Sequence, residues 1–297
     1  MSLTARPATP AAGRLVDAFG RVHTDLRVSV TDRCTLRCTY CMPLDARFRP
    51  AAELLSFDEI ARVTAVAVRL GIRSVRITGG EPLLRPGLPG LVERLVAIEG
   101  IDEVALTTNG LLLAEQAAPL RQAGLERVNV SLDAIDDEGF RRMARADGLD
   151  RVLAGLAAAR QAGFGPVRVN AVSLRGFTET QAVPLARFCR EEGHHLRFIE
   201  FMPLDAESGW SDASVLTGGE VRAILEASLG PLERLPSRDP GQPAVDWRWP
   251  DGTVVGFIDP VSNPFCGSCD RLRLTADGQF RNCLFSTTEW DVRAVLR

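Results

Sequence analysis

From about residue 26 to 202 the chain repeats one pattern, renewed roughly every 25–35 residues: a short β-branched run, a polar or glycine-bearing turn, and a helix-period stretch. Strands and helices in that rhythm form parallel βαβ units, because a parallel connection needs a crossover long enough to hold a helix. The strand-like runs are LRVSVTD (26–32), SVRITGG (74–80), VALTTNG (104–110), RVNVSLDA (127–134), VRVNAVSL (167–174) and HLRFIEFM (195–202). Helices are predicted after 56 and over 87–99, 113–123, 137–145, 149–162 and 179–192. The first carries its own punctuation, with Ser56 as N-cap, Glu59 three residues on, and Gly71 at its close. Six such units predict an α/β fold, a partial open (β/α)6 TIM-like barrel, with a doubly wound sheet as the structural alternative.

The residues that could do chemistry fall where such a fold puts its active site. A cysteine loop, TGGEP, TTNG, SLDA and FMP each follow the C-terminal end of a strand. Beyond Met202 the texture changes. A helix over 217–228 leads into a Pro-rich stretch (PLERLPSRDPGQP), then a hairpin whose turn is PDG, then a second cysteine group. The expected organisation is a flexible leader over 1–20, a barrel over 21–202, and an extension over 203–297 that caps or lines the barrel mouth.

Composition removes whole classes of activity. Lys and Arg together number 35, and all are arginine. With no lysine, a Schiff-base mechanism and a Walker-A phosphate loop are both excluded. Only three histidines are present, so neither a His-rich metal site nor widespread imidazole acid–base chemistry is expected, and the reaction must lean on a cofactor. A net charge of −3 gives no general nucleic-acid surface. No run approaches the roughly 18 apolar residues of a membrane span, and the polar, Ala/Pro-rich N-terminus has no secretory h-region. The expectation is a cytoplasmic protein.

Six of the seven cysteines form two groups of three, Cys34, Cys38, Cys41 and Cys266, Cys269, Cys283. The seventh, Cys189, sits on a predicted helix and reads as a small buried apolar residue. In a reducing compartment such groups mean metal or redox work rather than disulfides. Three thiolates from one Cys-x3-Cys-x2-Cys loop can hold three irons of a [4Fe–4S] cluster and leave the fourth open. Zinc fits the first group poorly, since a fourth nearby ligand is missing. For the second group, Cys-x2-Cys followed by a later cysteine, zinc and iron–sulfur are equally good readings by spacing alone.

TDRCTLRCTYCMP, TGGEPLLR, LTTNG, VNVSLDA, RFIEFM and the late Cys-x2-Cys-x13-Cys together resemble the GTP 3′,8-cyclases. These are radical S-adenosylmethionine (SAM) enzymes that open molybdenum-cofactor biosynthesis. The resemblance implies two [4Fe–4S] clusters, one on each cysteine triplet, with SAM at the first and the guanine of GTP at the second. It implies that a 5′-deoxyadenosyl radical takes the C3′ hydrogen of GTP and that C3′ joins C8. It assigns Tyr40, Gly79, Gly80, Ser131 and Met202 to SAM. Arg27, Arg76, Thr107, Arg168, Arg197, Arg271 and Arg273 are assigned to GTP, the last two also as catalytic residues. An external electron donor and a homodimer are implied as well, with no nucleic-acid or membrane partner.

This sequence departs from the family at three points. Ser74 stands where the family commonly has a lysine, which removes one charge, and Arg168 replaces another lysine while keeping it. The family continues past the position of Arg297 to a Gly-Gly tail that does not occur in this sequence, which bears on full activity. Two competing readings remain from the sequence. One is a peptide-modifying radical SAM maturase, which would carry more cysteines in its extension. The other is a zinc- or cluster-binding regulatory module, which would not need TGGEP, TTNG and the arginine set.

Overall fold

The computed structural model describes residues 13–204, 209–237 and 241–297. Six parallel strands lie side by side in chain order: β1 (Asp25–Ser29), β2 (Ser74–Thr78), β3 (Glu103–Thr108), β4 (Arg127–Ser131), β5 (Arg168–Ser173) and β6 (His195–Glu200). A doubly wound sheet reverses its strand order at a switch point. This sheet does not, so the fold is the partial barrel. The crossover helices are α1 (Phe57–Arg69), α2 (Leu88–Val96), α3 (Leu113–Gln122), α4 (Asp137–Ala144), α5 (Leu149–Gln161) and α6 (Thr178–Glu191). The Ser56–Glu59 capping box opens α1, and Cys189 is buried on α6.

Alternation along the strands sorts the two faces. Leu26, Val28, Val75, Ile77, Val104, Leu106, Val128, Val130, Val169, Leu196 and Phe198 point to the helices and are essentially inaccessible. The opposite face, which lines the barrel lumen, carries Arg27, Arg76, Thr107, Arg127, Asn129, Ser131, Arg168 and Arg197. Parallel strands are ordinarily apolar on both faces. Here only the helix-covered face is.

The extension builds onto both edges of this sheet, which residue order alone does not reveal. After α7 (Gly218–Leu229), strands β7 (Glu233–Arg234), β8 (Val245–Arg248) and β9 (Val254–Ile258) add beside β6, and β9 runs parallel to it. The predicted PDG hairpin is the β8–β9 pair. Then β10 (Arg271–Leu274), β11 (Gln279–Arg281) and β12 (Trp290–Asp291) add beside β1, with β10 parallel to it. Of the leader expected over 1–20, residues 1–12 lie outside the described residues. Leu15 donates to the Leu70 carbonyl and accepts from the His23 amide, and Val16 bridges Val22, so this stretch is tied to the barrel. Among the described residues no helix is long and apolar enough to cross a membrane.

Candidate active site

The first cysteine loop leaves β1 and is pinned from two sides. Gly80 donates to the Thr31 carbonyl and Glu81 to the Arg33 carbonyl, both at 2.7 Å. Arg37 and Thr39 donate to the Ala144 and Met143 carbonyls in the last turn of α4. A Cβ on Gly80 would lie 2.3 Å from the Arg33 carbonyl oxygen, and one on Gly79 2.5 Å from that of Thr31. Both glycines are therefore required for the end of β2 to press against the cysteine loop. The Tyr40 hydroxyl donates to Asp133 Oδ2 at 2.9 Å, and the Val172 amide donates to Asp133 Oδ1, which ties the loop to β4 and β5. Burial pushes the Asp133 carboxyl up to about 6 and raises the Tyr40 phenol well above its ordinary value.

Glu81 is a residue the sequence did not single out. It is buried, and its carboxylate accepts from Thr108 Oγ1, the Asn109 amide and the Leu83 amide at 2.7–2.9 Å. Asn109 in turn donates to Thr35 Oγ1 at 2.9 Å and to Cys34 Sγ at 3.8 Å. TGGEP, TTNG and the cysteine loop are thus one connected network. Each motif was visible at its strand end; the side-chain links between them were not.

The lumen between the strands is lined with arginine. In register across neighbouring strands run Arg273, Arg27, Arg76, Ala105 and Arg127. A second row holds Thr107, Asn129, Arg168 and His195, and a third brings Asn170, Arg197 and Gly256 together. The Nε atoms of Arg27, Arg76, Arg127, Arg197 and Arg273 are all buried without a hydrogen-bond partner. Burial lowers the Arg27, Arg76 and Arg197 guanidiniums to about 10 and also lowers Arg273, with neighbouring arginines adding to the effect. All remain cationic at neutral pH. Buried polar groups are normally paired, and here five guanidiniums on one face each keep a buried Nε without a partner.

Three carboxylates act on these arginines: Asp25 on Arg27, Arg76 and Arg273, Glu103 paired with Arg127, and Asp246 on β8, with Oδ1 3.4 Å from His195 Nε2 and 3.7 Å from Arg197 Nη2. A Cβ on Gly256 would sit 2.7 Å from that oxygen and 3.1 Å from Arg197 Cγ, so glycine leaves room for this pair.

The second triplet lies at the other end of the sheet. β10 runs parallel to β1 with Arg271 beside Asp25, so Cys266 and Cys269 precede the strand at its N-terminal end. β11 runs antiparallel to β10 and returns Cys283 to that same end. Cys34, Cys38 and Cys41 follow the C-terminal end of β1. Four residue steps of strand, about 13 Å, separate the rows of Asp25 and Ser29, and the arginines lie between the triplets. Arg271, 7% exposed, donates from Nε to Cys269 Sγ at 3.2 Å and stacks on Phe265. The Phe285 amide donates to Cys283 Sγ, and Arg21 donates to the Cys266 carbonyl.

Two family models match the chain, the radical SAM superfamily over residues 28–189 and Molybdenum Cofactor Synthesis C over residues 194–297. A GTP 3′,8-cyclase of Rhodopirellula baltica is 47% identical over 291 residues, covering 95% of this chain and 80% of that protein. One from Streptomyces coelicolor is 49% identical, covering 95% and 84%. The chain belongs to the GTP 3′,8-cyclase family. Among solved structures, Streptococcus suis SuiB bound to S-adenosylmethionine matches with a TM-score of 0.67 at 15% identity, over 91% of this chain and 64% of that one. Methylornithine synthase matches with a TM-score of 0.55 at 18% identity, over 69% of this chain and 62% of its own. These two show the fold alone.

The donor sets fit the iron–sulfur clusters that a radical SAM cyclase requires. All six thiols are free of disulfides. Cys34, Cys269 and Cys283 each accept an N–H hydrogen bond at sulfur. Among the described residues no three His, Cys, Asp or Glu side chains are grouped closely enough to hold a metal ion. Burial raises Cys34, Cys38 and Cys41 above the ordinary thiol range. Those protons must leave when metal binds.

The other cyclase residues named from the sequence fall along the same lumen. Ser131 ends β4 at the level of the first cysteine loop, and Met202 is half-buried just past β6. The Thr107 hydroxyl accepts from Asn129 Nδ2 at 3.3 Å. Ser74 stands on the lumen face at the start of β2, beside Glu103.

Proposed function

We propose that this chain converts GTP to (8S)-3′,8-cyclo-7,8-dihydroguanosine 5′-triphosphate, the first step of molybdopterin biosynthesis. The observation that carries this reading is the set of lumen arginines, each with a buried Nε that has no partner, lying between two thiol triplets at opposite ends of one lumen. Cys34, Cys38 and Cys41 would hold one [4Fe–4S] cluster and Cys266, Cys269 and Cys283 the other. When bound and reduced, the first cluster supplies the electron for cleavage of SAM to the 5′-deoxyadenosyl radical that takes the C3′ hydrogen, after which C3′ bonds to C8.

The chain's own groups bind and orient. Tyr40, Gly79, Gly80, Ser131 and Met202 line the end of the lumen where SAM is held. Arg27, Arg76, Arg168 and Arg197 take the triphosphate, whose spread charge suits the planar guanidinium fork. Thr107 meets the nucleoside. Arg271 and Arg273, beside Cys269, hold the base against the second cluster and act as the catalytic cations there. The reading includes an external one-electron donor, a homodimeric state and a cytoplasmic location, as in the family.

The test begins with anaerobic reconstitution, where about eight irons per chain are expected for two clusters. Dithionite-reduced protein with SAM should then release 5′-deoxyadenosine in a GTP-dependent manner, along with the cyclised triphosphate. Stoichiometric zinc at the second triplet, or equal deoxyadenosine with an unrelated peptide in place of GTP, would remove the assignment.

A further inference from the structure

We infer that Arg127 is a further substrate-binding cation of the lumen, taking a triphosphate oxygen that Ser74 cannot reach with a charge. This rests on the reading of the lumen as the site for the phosphates of GTP.

Arg127 opens β4 on the lumen face, in the same register row as Arg76, with Ala105 between them. Alanine's single methyl leaves both long side chains free to lie over one patch of the sheet. The guanidinium belongs electrically to the cluster. Its charge contributes to lowering both Arg76 and Arg197 from the ordinary arginine value. One of its nitrogens, Nη2, is engaged by Glu103 on β3, while Nε is buried with no partner. The cross-strand ion pair occupies one nitrogen, and the buried Nε–H has an acceptor still to find.

Register links Arg127 to the sequence's one uncompensated loss of charge. Ser74, where the family commonly has a lysine, is the direct neighbour of Glu103 in the β2–β3 pair. Glu103 therefore stands between position 74 and Arg127. Strands β2 and β4 are about 10 Å apart, two strand spacings, so a long cationic side chain from either position covers the ground above Glu103. With serine at 74, Arg127 supplies that cation.

The test compares binding of GTP and of guanosine to the anaerobically reconstituted protein by calorimetry. Arg127→Gln should weaken GTP by about tenfold or more, the scale of a lost charge-assisted hydrogen bond, and leave guanosine affinity unchanged. Adding Ser74→Lys to Arg127→Gln should restore most of the GTP affinity. Because Arg127→Gln leaves Glu103 unpaired, the pair variant Glu103→Gln/Arg127→Gln is measured beside it with its melting temperature, and it should show the same GTP-selective loss. An Arg127→Gln protein that binds GTP as tightly as the parent, while Arg76→Gln does not, overturns the inference alone. So does an equal loss for GTP and guanosine, which would mark a structural role. If Arg27→Gln and Arg76→Gln also leave GTP binding intact, the reading of the whole lumen falls with it.

Discussion

Arg27 on β1 and Arg273 on β10 stand directly opposite one another in a parallel register, each with its Nε buried and unpartnered. Desolvation, with repulsion from Arg273 and Arg271, outweighs the attraction of Asp25 on Arg27, so this unpartnered cation destabilises the fold when no ligand is present. Replacing Arg27 by Met keeps the apolar stem and removes the charge. The substrate-free Arg27→Met protein is expected to melt higher than the parent by ~2–4 °C, the shift that about 1 kcal/mol produces in a sizeable domain. Adding GTP should raise the melting temperature of the parent and barely move the variant. A variant that melts lower in the absence of GTP would show that the guanidinium contributes to folding rather than waiting for substrate.

Gly80 makes a sharper demand. A methyl group there would meet the Arg33 carbonyl oxygen at 2.3 Å and the Asp32 carbonyl oxygen at 2.6 Å, both backbone atoms that cannot swing aside. Gly80→Ala should push the first cysteine loop off β2 and break the 2.7 Å bond from the Gly80 amide to Thr31. Iron bound per chain after reconstitution is the direct readout, expected to fall by about half as the first cluster is lost and the second retained. Full iron loading in Gly80→Ala would show that the loop tolerates displacement.

What the sequence disclosed and what it withheld divide by distance along the chain. The capping box at Ser56, the βαβ rhythm and the PDG hairpin are local, and each element lies within a few residues of its expected place. Strand ends were overextended. LRVSVTD predicts a strand to residue 32, while β1 stops at Ser29, because the carbonyls of Thr31 and Arg33 bond to the turn at Gly80 and Glu81 instead of continuing a strand ladder. The pairing of β10 with β1 joins residues far apart in the chain, so no periodicity could announce it. The placement of Arg127 is hidden from the sequence for a related reason. Beside a run of valines it looks like an ordinary strand start, and only the register row shared with Arg76 shows which face it occupies. The roles of Gly79 and Gly80 came from resemblance, whereas their steric need is visible only where the two backbones meet.

The two triplets divide the chemistry and can be separated by substitution. Cys34 lies in the network that runs through Asn109 to Glu81, at the end of the lumen proposed to hold SAM. Cys34→Ala should abolish deoxyadenosine release altogether. Cys266 lies at the opposite end, exposed, beyond the arginine rows. Cys266→Ala should continue to release deoxyadenosine from SAM at a reduced level while forming no cyclised triphosphate. Chromatographic quantitation of both products checks each expectation, and product formation by Cys266→Ala would detach the second triplet from substrate handling.

Asp259, just past β9, has its Oδ1 buried without a partner. Burial, aided by the negative charge of Glu200, raises its carboxyl from 3.8 to about 6. Glu200 is itself committed, accepting from the Val261 and Ser262 amides at 2.9 Å to stitch the extension to β6. Because the folded pKa lies above the unfolded one, the folded chain holds the Asp259 proton more tightly. Its stabilising contribution is complete below about pH 4 and is lost as pH rises through about 6. Asp259→Asn imitates the protonated form at every pH. The variant should therefore melt higher than the parent at pH 8, with the gap closing as pH falls toward 4. A thermal-melt series across that range checks the sign, and a gap that widens toward acid would mean that Asp259 is ionised in the fold and held there by a favourable partner.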